Sequence, residues 1–183
     1  MSVDFPVVFS QAGAIMDIKR MAKIGVMTAL YVAATLACSS LAYGQVQFRV
    51  SELLMLLCFL NKDYIISMTL GCVFVNLFSP LGLVDVIFGT CATLIAALLI
   101  YLTRKKLGLA VVSLFPVISN GIIVGAELTY LFHEAPFYVN AGFVALGEFV
   151  CVTILGVIVM RVLMKNKAFM KLIGEEEHTD RLF

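Results

Sequence analysis

The chain has 183 residues, 62% hydrophobic and 14% charged, against about 45–50% and about 25% in ordinary soluble domains. That composition excludes a soluble globular protein, and a formal net charge of +1 offers no global field for nucleic acid or an acidic partner. Six bilayer-spanning helices of about 20 residues would use roughly 120 positions and leave only tails and short loops.

In chain order, residues 1–18 read as an extension that is dispensable to the fold. They are apolar at first but lack the positive flank of a signal peptide, and Met16 is a plausible true start or the opening of a helix lying on the membrane. Apolar runs then predict six helices, Ile24–Tyr43, Val50–Leu60, Tyr64–Phe78, Leu83–Leu102, Leu109–Phe132 and Phe137–Leu163, within a domain of residues 19–165. The second run is the difficulty: an eleven-residue α-helix reaches about 17 Å of a ~30 Å hydrocarbon core. It must extend into its flanks or be a partial span packed inside the bundle. Residues 166–183 read as a solvated tail.

The basic residues set the orientation. With the amino terminus inside, Lys19, Arg20, Lys23, Lys62, Arg104, Lys105, Lys106, Arg161, Lys165, Lys167, Lys171 and Arg181 all fall on the inner side, leaving Arg49 as the exception among thirteen. The positive-inside rule then places both termini in the cytoplasm. The expected fold is all-α, a six-helix transmembrane bundle.

Four carboxylates, Glu52, Asp85, Glu127 and Glu148, lie in or beside apolar spans, each costing about 2.5–3.5 kcal/mol at a bilayer centre. With Asn76, Asn120 and Asn140 they fall between the outer surface and the midplane, while the inner half is almost purely apolar. That asymmetry suits a cup open to one side better than a continuous pathway. Asn120 and Glu127 are seven apart, and Asn140 and Glu148 follow a four-residue stride through Val144. Pro116 can kink the fifth helix and free the carbonyl of Val112 toward the cup.

Plainer roles stand beside these. Asn76 or Asn120 can clamp neighbouring helices, and Asp85 can cap the fourth helix. Four acids against Arg49 favour a cationic or donor-rich solute, since a carboxylate accepts two parallel N–H bonds from a guanidine-like edge. Tyr43, Phe78, Tyr130, Phe137, Tyr138 and Phe143 could stack on a flat heterocycle or form an interfacial belt. Ala29, Ala33 and Ala37 continue a stripe from Gly25, a spacing that permits close helix approach, either within the bundle or to a partner; Gly89, Thr93 and Ala97 form a second stripe that reads as internal packing. The five cysteines, all in apolar runs, read as core residues, and no phosphate loop, hydrolase motif or metal set is present. No cofactor or catalytic residue is expected.

Phe48-Arg49-Val50-Ser51-Glu52, Asn76-Leu77-Phe78-Ser79-Pro80-Leu81-Gly82-Leu83-Val84-Asp85 through Thr90, Pro116-Val117-Ile118-Ser119-Asn120-Gly121, Gly125-Ala126-Glu127-Leu128, Pro136-Phe137 with Asn140, and Gly147-Glu148 together resemble the substrate-binding S-components of energy-coupling-factor (ECF) transporters, more closely their queuosine-precursor family, QueT. The resemblance spans about residues 16–165. It implies a bacterial plasma-membrane subunit that captures a deazaguanine, such as the aminomethyl queuosine precursor, from outside. It implies partners as well: a T-component coupled to two ATPases, on which the S-component reorients bodily to release its cargo. Ala29, Ala33 and Ala37 would then be the docking face and Gly44–Arg49 the gate. Under that resemblance Glu127 or Glu148 meets the guanine-like edge, Asn120 and Asn140 the carbonyl and ring nitrogens, and Asp85 or Glu52 the ammonium. A different S-component substrate such as a vitamin, or a stand-alone facilitator or exporter with a carboxylate proton relay, are the competing expectations. An intramembrane enzyme would need a nucleophile–base pair that the sequence lacks.

Overall fold

The computed structural model describes residues 18–42 and 46–174. Every regular element among them is helical. Helix α1 (Ile18–Ala37) turns Ile24, Thr28, Tyr31 and Thr35 inward at the three- and four-residue spacing of one helix face. Gly25, Ala29, Ala33 and Ala37 lie on the opposite, exposed side, so this stripe takes no part in packing the bundle. A single turn, Ser39–Ala42, follows.

Helix α2 (Val50–Phe59) winds as a 3₁₀-helix. At about 2.0 Å per residue it extends roughly 20 Å, where the α form would give about 15 Å. Ser51, Glu52, Met55, Leu56, Leu57, Cys58 and Phe59 are all buried, so α2 is a central partial span enclosed by other helices. Arg104 closes its far end, Nη1 donating to the carbonyls of Phe59 (3.3 Å) and Leu60 (3.0 Å), which no helical N–H reaches.

Helix α3 (Asp63–Asn76) is tied to α1 along its length. Arg20 forks onto Asp63 at 2.5 and 2.7 Å, Thr28 Oγ1 donates to the Ser67 carbonyl and Ser67 Oγ to that of Ile24. Gly71 admits the Tyr31 ring so closely that an added Cβ would sit 2.8 Å from it. Helix α4 (Leu83–Thr103) starts from Gly82, whose φ of +67° favours glycine. Its buried line includes Gly89, Thr93 and Ala97, the internal packing expected of that stripe.

Helix α5 (Leu109–Tyr130) breaks at Ser113 into Leu109–Val112 and Leu114–Tyr130, just ahead of Pro116, whose missing N–H cannot support the preceding turn. The Val112 side chain itself is buried in the main apolar cluster. Helix α6 (Phe137–Met164) carries a π-helical stretch from Phe149 to Gly156. It packs against α5 through glycines: a Cβ on Gly125 would approach Ala141 Cα to 2.7 Å.

Among the described residues four helices are long and apolar enough to cross a membrane, α1, α4, α5 and α6, with α2 and α3 as shorter apolar helices. Residues 167–174 of the tail dock in part on the bundle. Helix α7 (Lys167–Ile173), capped by Asn166 accepting from the Ala168 and Phe169 amides, buries Ile173 and returns to the start of α3. Tyr64 Oη donates to the Ile173 carbonyl at 3.0 Å and Asn61 Nδ2 to that of Gly174 at 2.6 Å.

Candidate functional site

Chain direction alone assembles the polar groups. Arg49 and Glu52 open α2, Asn76 closes α3, Asp85 opens α4, Glu127 lies in the last turns of α5 and Asn140 opens α6, which brings them to one end of an alternating bundle. Asn120 and Glu148 lie one to two turns deeper. Lys19, Arg20, Lys23, Lys62, Arg104, Lys105, Lys106, Lys165, Lys167 and Lys171 occupy the opposite end. All eight predicted site residues are buried, none more than 5% exposed.

Five of them form one electrostatic unit. Arg49 Nη2 stands 3.5 Å from Asp85 Oδ2, and the Arg49 charge acts on Glu52, Glu127 and Glu148 as well. The two asparagines of the interior position the acids. Asn120 Nδ2 donates to Glu148 Oε1 at 2.8 Å across α5 and α6. Asn76 Nδ2 donates to the Asp85 backbone carbonyl at 2.9 Å, and the turn between them is closed by Ser79 N–H to Asn76 O and Gly82 N–H to Ser79 O. Gly89 makes the room: its Cβ would lie 2.5 Å from Asn76 Nδ2 and 2.9 Å from Asp85 Oδ1. Both asparagines thus act as interhelical clamps, while Asp85 gives α4 no side-chain cap.

The acids differ in what they have left to offer. Glu52 Oε1 accepts from Tyr31 Oη. Asp85 faces Arg49. Both carboxylate oxygens of Glu127 and Oε2 of Glu148 are buried without a hydrogen-bond partner among the described residues, a condition that buried polar groups rarely tolerate. Glu52 Oε2 and both Asp85 oxygens likewise have no hydrogen-bond partner there, Asp85 lying beside Arg49; the open oxygens of Glu127, Glu148 and Glu52 can take donors from a solute.

Asn140 stands apart: its Nδ2 donates to Thr129 Oγ1 (2.9 Å) and the Ala135 carbonyl (3.0 Å), bracing the α5–α6 connection. Phe78, Tyr130, Phe137, Tyr138 and Phe143 are exposed on the outside of the bundle, a belt and not a stacking wall; Tyr43, with Gly44 and Gln45 of the expected gate, lies outside the described residues. Tyr31 and Thr90 were not expected. Tyr31 was legible as the aromatic member of the Ile24-Thr28-Tyr31-Thr35 face; Thr90, whose Oγ1 is buried without a partner, left no signal.

Below the acids Met55, Leu56, Leu57, Met68, Ile100, Val152 and Met160 form a continuous buried apolar layer. On the outside, α1 and α3 frame a groove of about 770 Å³ lined almost wholly by apolar atoms, with Gly25, Ala29, Ala33, Leu70, Phe74 and Phe78 among its walls.

A family model described as QueT transporter matches residues 21–165. The chain belongs to the QueT transporter family. The queuosine precursor transporter QueT of Lactococcus lactis subsp. cremoris (strain MG1363) is 38% identical over 140 residues, 69% of this chain and 81% of that protein. No solved structure matches. The stretch shared with the QueT family holds all eight polar residues and the alanine stripe, and it ends before α7. The chain is therefore a membrane transporter of the QueT family, with its polar groups gathered at one end.

Proposed function

We propose that this protein is the substrate-binding S-component of an ECF-type importer, a six-span bundle in a bacterial plasma membrane with both termini cytoplasmic. It captures a deazaguanine queuosine precursor, such as the aminomethyl form, from outside. The observation that carries this reading is the set of buried acceptors on Glu127 and Glu148, at the end of the bundle away from the basic loops. A guanine-like edge offers two parallel N–H donors to one carboxylate, and an ammonium satisfies the other. Asn120 holds Glu148 in place, which leaves the Asn120 carbonyl side for ring donors; Asn140 serves the rim.

Transport follows from the floor. With an apolar layer beneath the acids, a solute leaves by the way it entered, so delivery takes reorientation of the whole subunit on a T-component driven by two ATPases. The outward alanine stripe beside the α1–α3 groove supplies the docking face, since small residues let a partner helix approach closely in lipid. Titration of the purified protein with the aminomethyl deazaguanine tests binding. Saturable binding, with uptake only when T-component and ATPases are present, is expected; uptake by the reconstituted chain alone would overturn the S-component role in favour of a facilitator.

A further inference from the structure

A pocket that takes up a cation gains nothing obvious from a fixed guanidinium within it, yet Arg49 is 4% exposed and sits 3.5 Å from Asp85. It is held there by its own backbone. The carbonyls of Val46 and Gln47 rest on Gly147 of α6, where a Cβ would meet them at 1.9 and 2.8 Å. Gln47 adopts a φ of +48°, uncommon for a residue with a side chain, and the Phe48 amide donates to the Leu41 carbonyl at 3.0 Å. Segment 46–49 thus links the turn after α1 to α6 next to Glu148, and through Arg49 to α4.

We propose that Arg49 is a resident counter-cation that sets the charge selectivity of the cup. Its guanidinium faces Asp85, while Glu127 keeps both oxygens, and Glu52 and Glu148 one each, for the solute. One of the four negative charges is thereby cancelled from within, which lowers the pull of the cup on any cation without abolishing it. The inference rests on the binding role proposed above and adds to it the residue that decides between charged and neutral solutes.

The test compares two deazaguanines, one with the cationic aminomethyl group and one with an uncharged nitrile in its place, by the ratio of their dissociation constants. Arg49→Gln is expected to shift that ratio at least tenfold toward the cation, while Arg49→Lys, which keeps the charge, stays within about threefold of wild type. Asp85→Asn, which removes a negative charge and frees the guanidinium, is expected to shift it at least tenfold the other way, and it decides the matter should Arg49→Gln fail to fold. Parallel loss of both ligands with the ratio unchanged, in Arg49→Gln or in Asp85→Asn, would overturn the assignment and make Arg49 a structural strut. A wild-type protein that binds neither compound removes the binding role itself, a separate failure.

Discussion

Glu127 gives up water on both carboxylate oxygens without gaining a hydrogen bond from the described residues, at a cost of roughly 1–3 kcal/mol for each group so left. Packing offers nothing in return, and a bound donor would. Replacing one acid with its isosteric amide removes a charge-assisted bond of about 1.5–3 kcal/mol, so Glu127→Gln and Glu148→Gln should each weaken deazaguanine binding by about 10- to 100-fold in calorimetric titration, with thermal unfolding unchanged or raised. Gly89→Ala should weaken binding too, because its methyl would displace Asn76 and Asp85; unaltered affinity there would contradict the observed packing. The sequence identified the acids because a carboxylate in an apolar run is conspicuous at any depth. It did not identify how they are shared out, since the Tyr31 contact to Glu52 joins residues twenty-one positions apart on different helices.

Between elements, the least legible features were helix types. A tight 3₁₀ α2 and a π stretch in α6 are tertiary outcomes: beyond Ser51 and Glu52 the segment to Phe59 is apolar on every side, so its periodicity does not distinguish one winding from another. The bounds of α4, α5 and α6 were readable to within two residues from the apolar runs Leu83–Leu102, Leu109–Phe132 and Phe137–Leu163, because long apolar stretches end sharply at polar and turn-forming residues. In the tail the exposed Lys167, Ala168, Lys171 and Leu172 fit a solvated end, and the apolar anchor at Ile173 left no signal, since one isoleucine between charged stretches has no periodicity. Tyr64→Phe, which deletes the hydroxyl that donates to the Ile173 carbonyl, should cost about 1 kcal/mol and speed proteolysis of the tail in detergent, leaving ligand affinity intact. Gly125→Leu should be far more damaging, as the α5–α6 contact has no space for a side chain and overpacking costs about 1–3 kcal/mol or more; a lowered midpoint in thermal unfolding checks it.

At the scale of the whole molecule, the division into an acidic end, an apolar middle and a basic end was visible from charge order alone, since alternating helices turn sequence position into depth. What the alanine stripe does was not visible, because close packing within the bundle and docking to a partner require the same residues; its exposure removes it from the packing of the bundle, and docking is the role proposed for it. Ala33→Trp should therefore abolish uptake by the assembled transporter while the isolated subunit still binds its ligand. Loss of both would place the stripe inside the fold after all.

The π stretch in α6 sets the phase of everything after it. A π turn holds about one residue more than the 3.6 of an α turn, so deleting a single residue between Phe149 and Gly156 can be absorbed by rewinding the stretch as α-helix, with Met160 and Met164 kept in the apolar centre. A residue lost from α6 after Gly156, where the α winding has no such slack, would instead rotate everything that follows by about 100° and turn the docked tail away from Tyr64, so the π stretch is the place where α6 can change length by one residue and keep the two ends of the protein coupled.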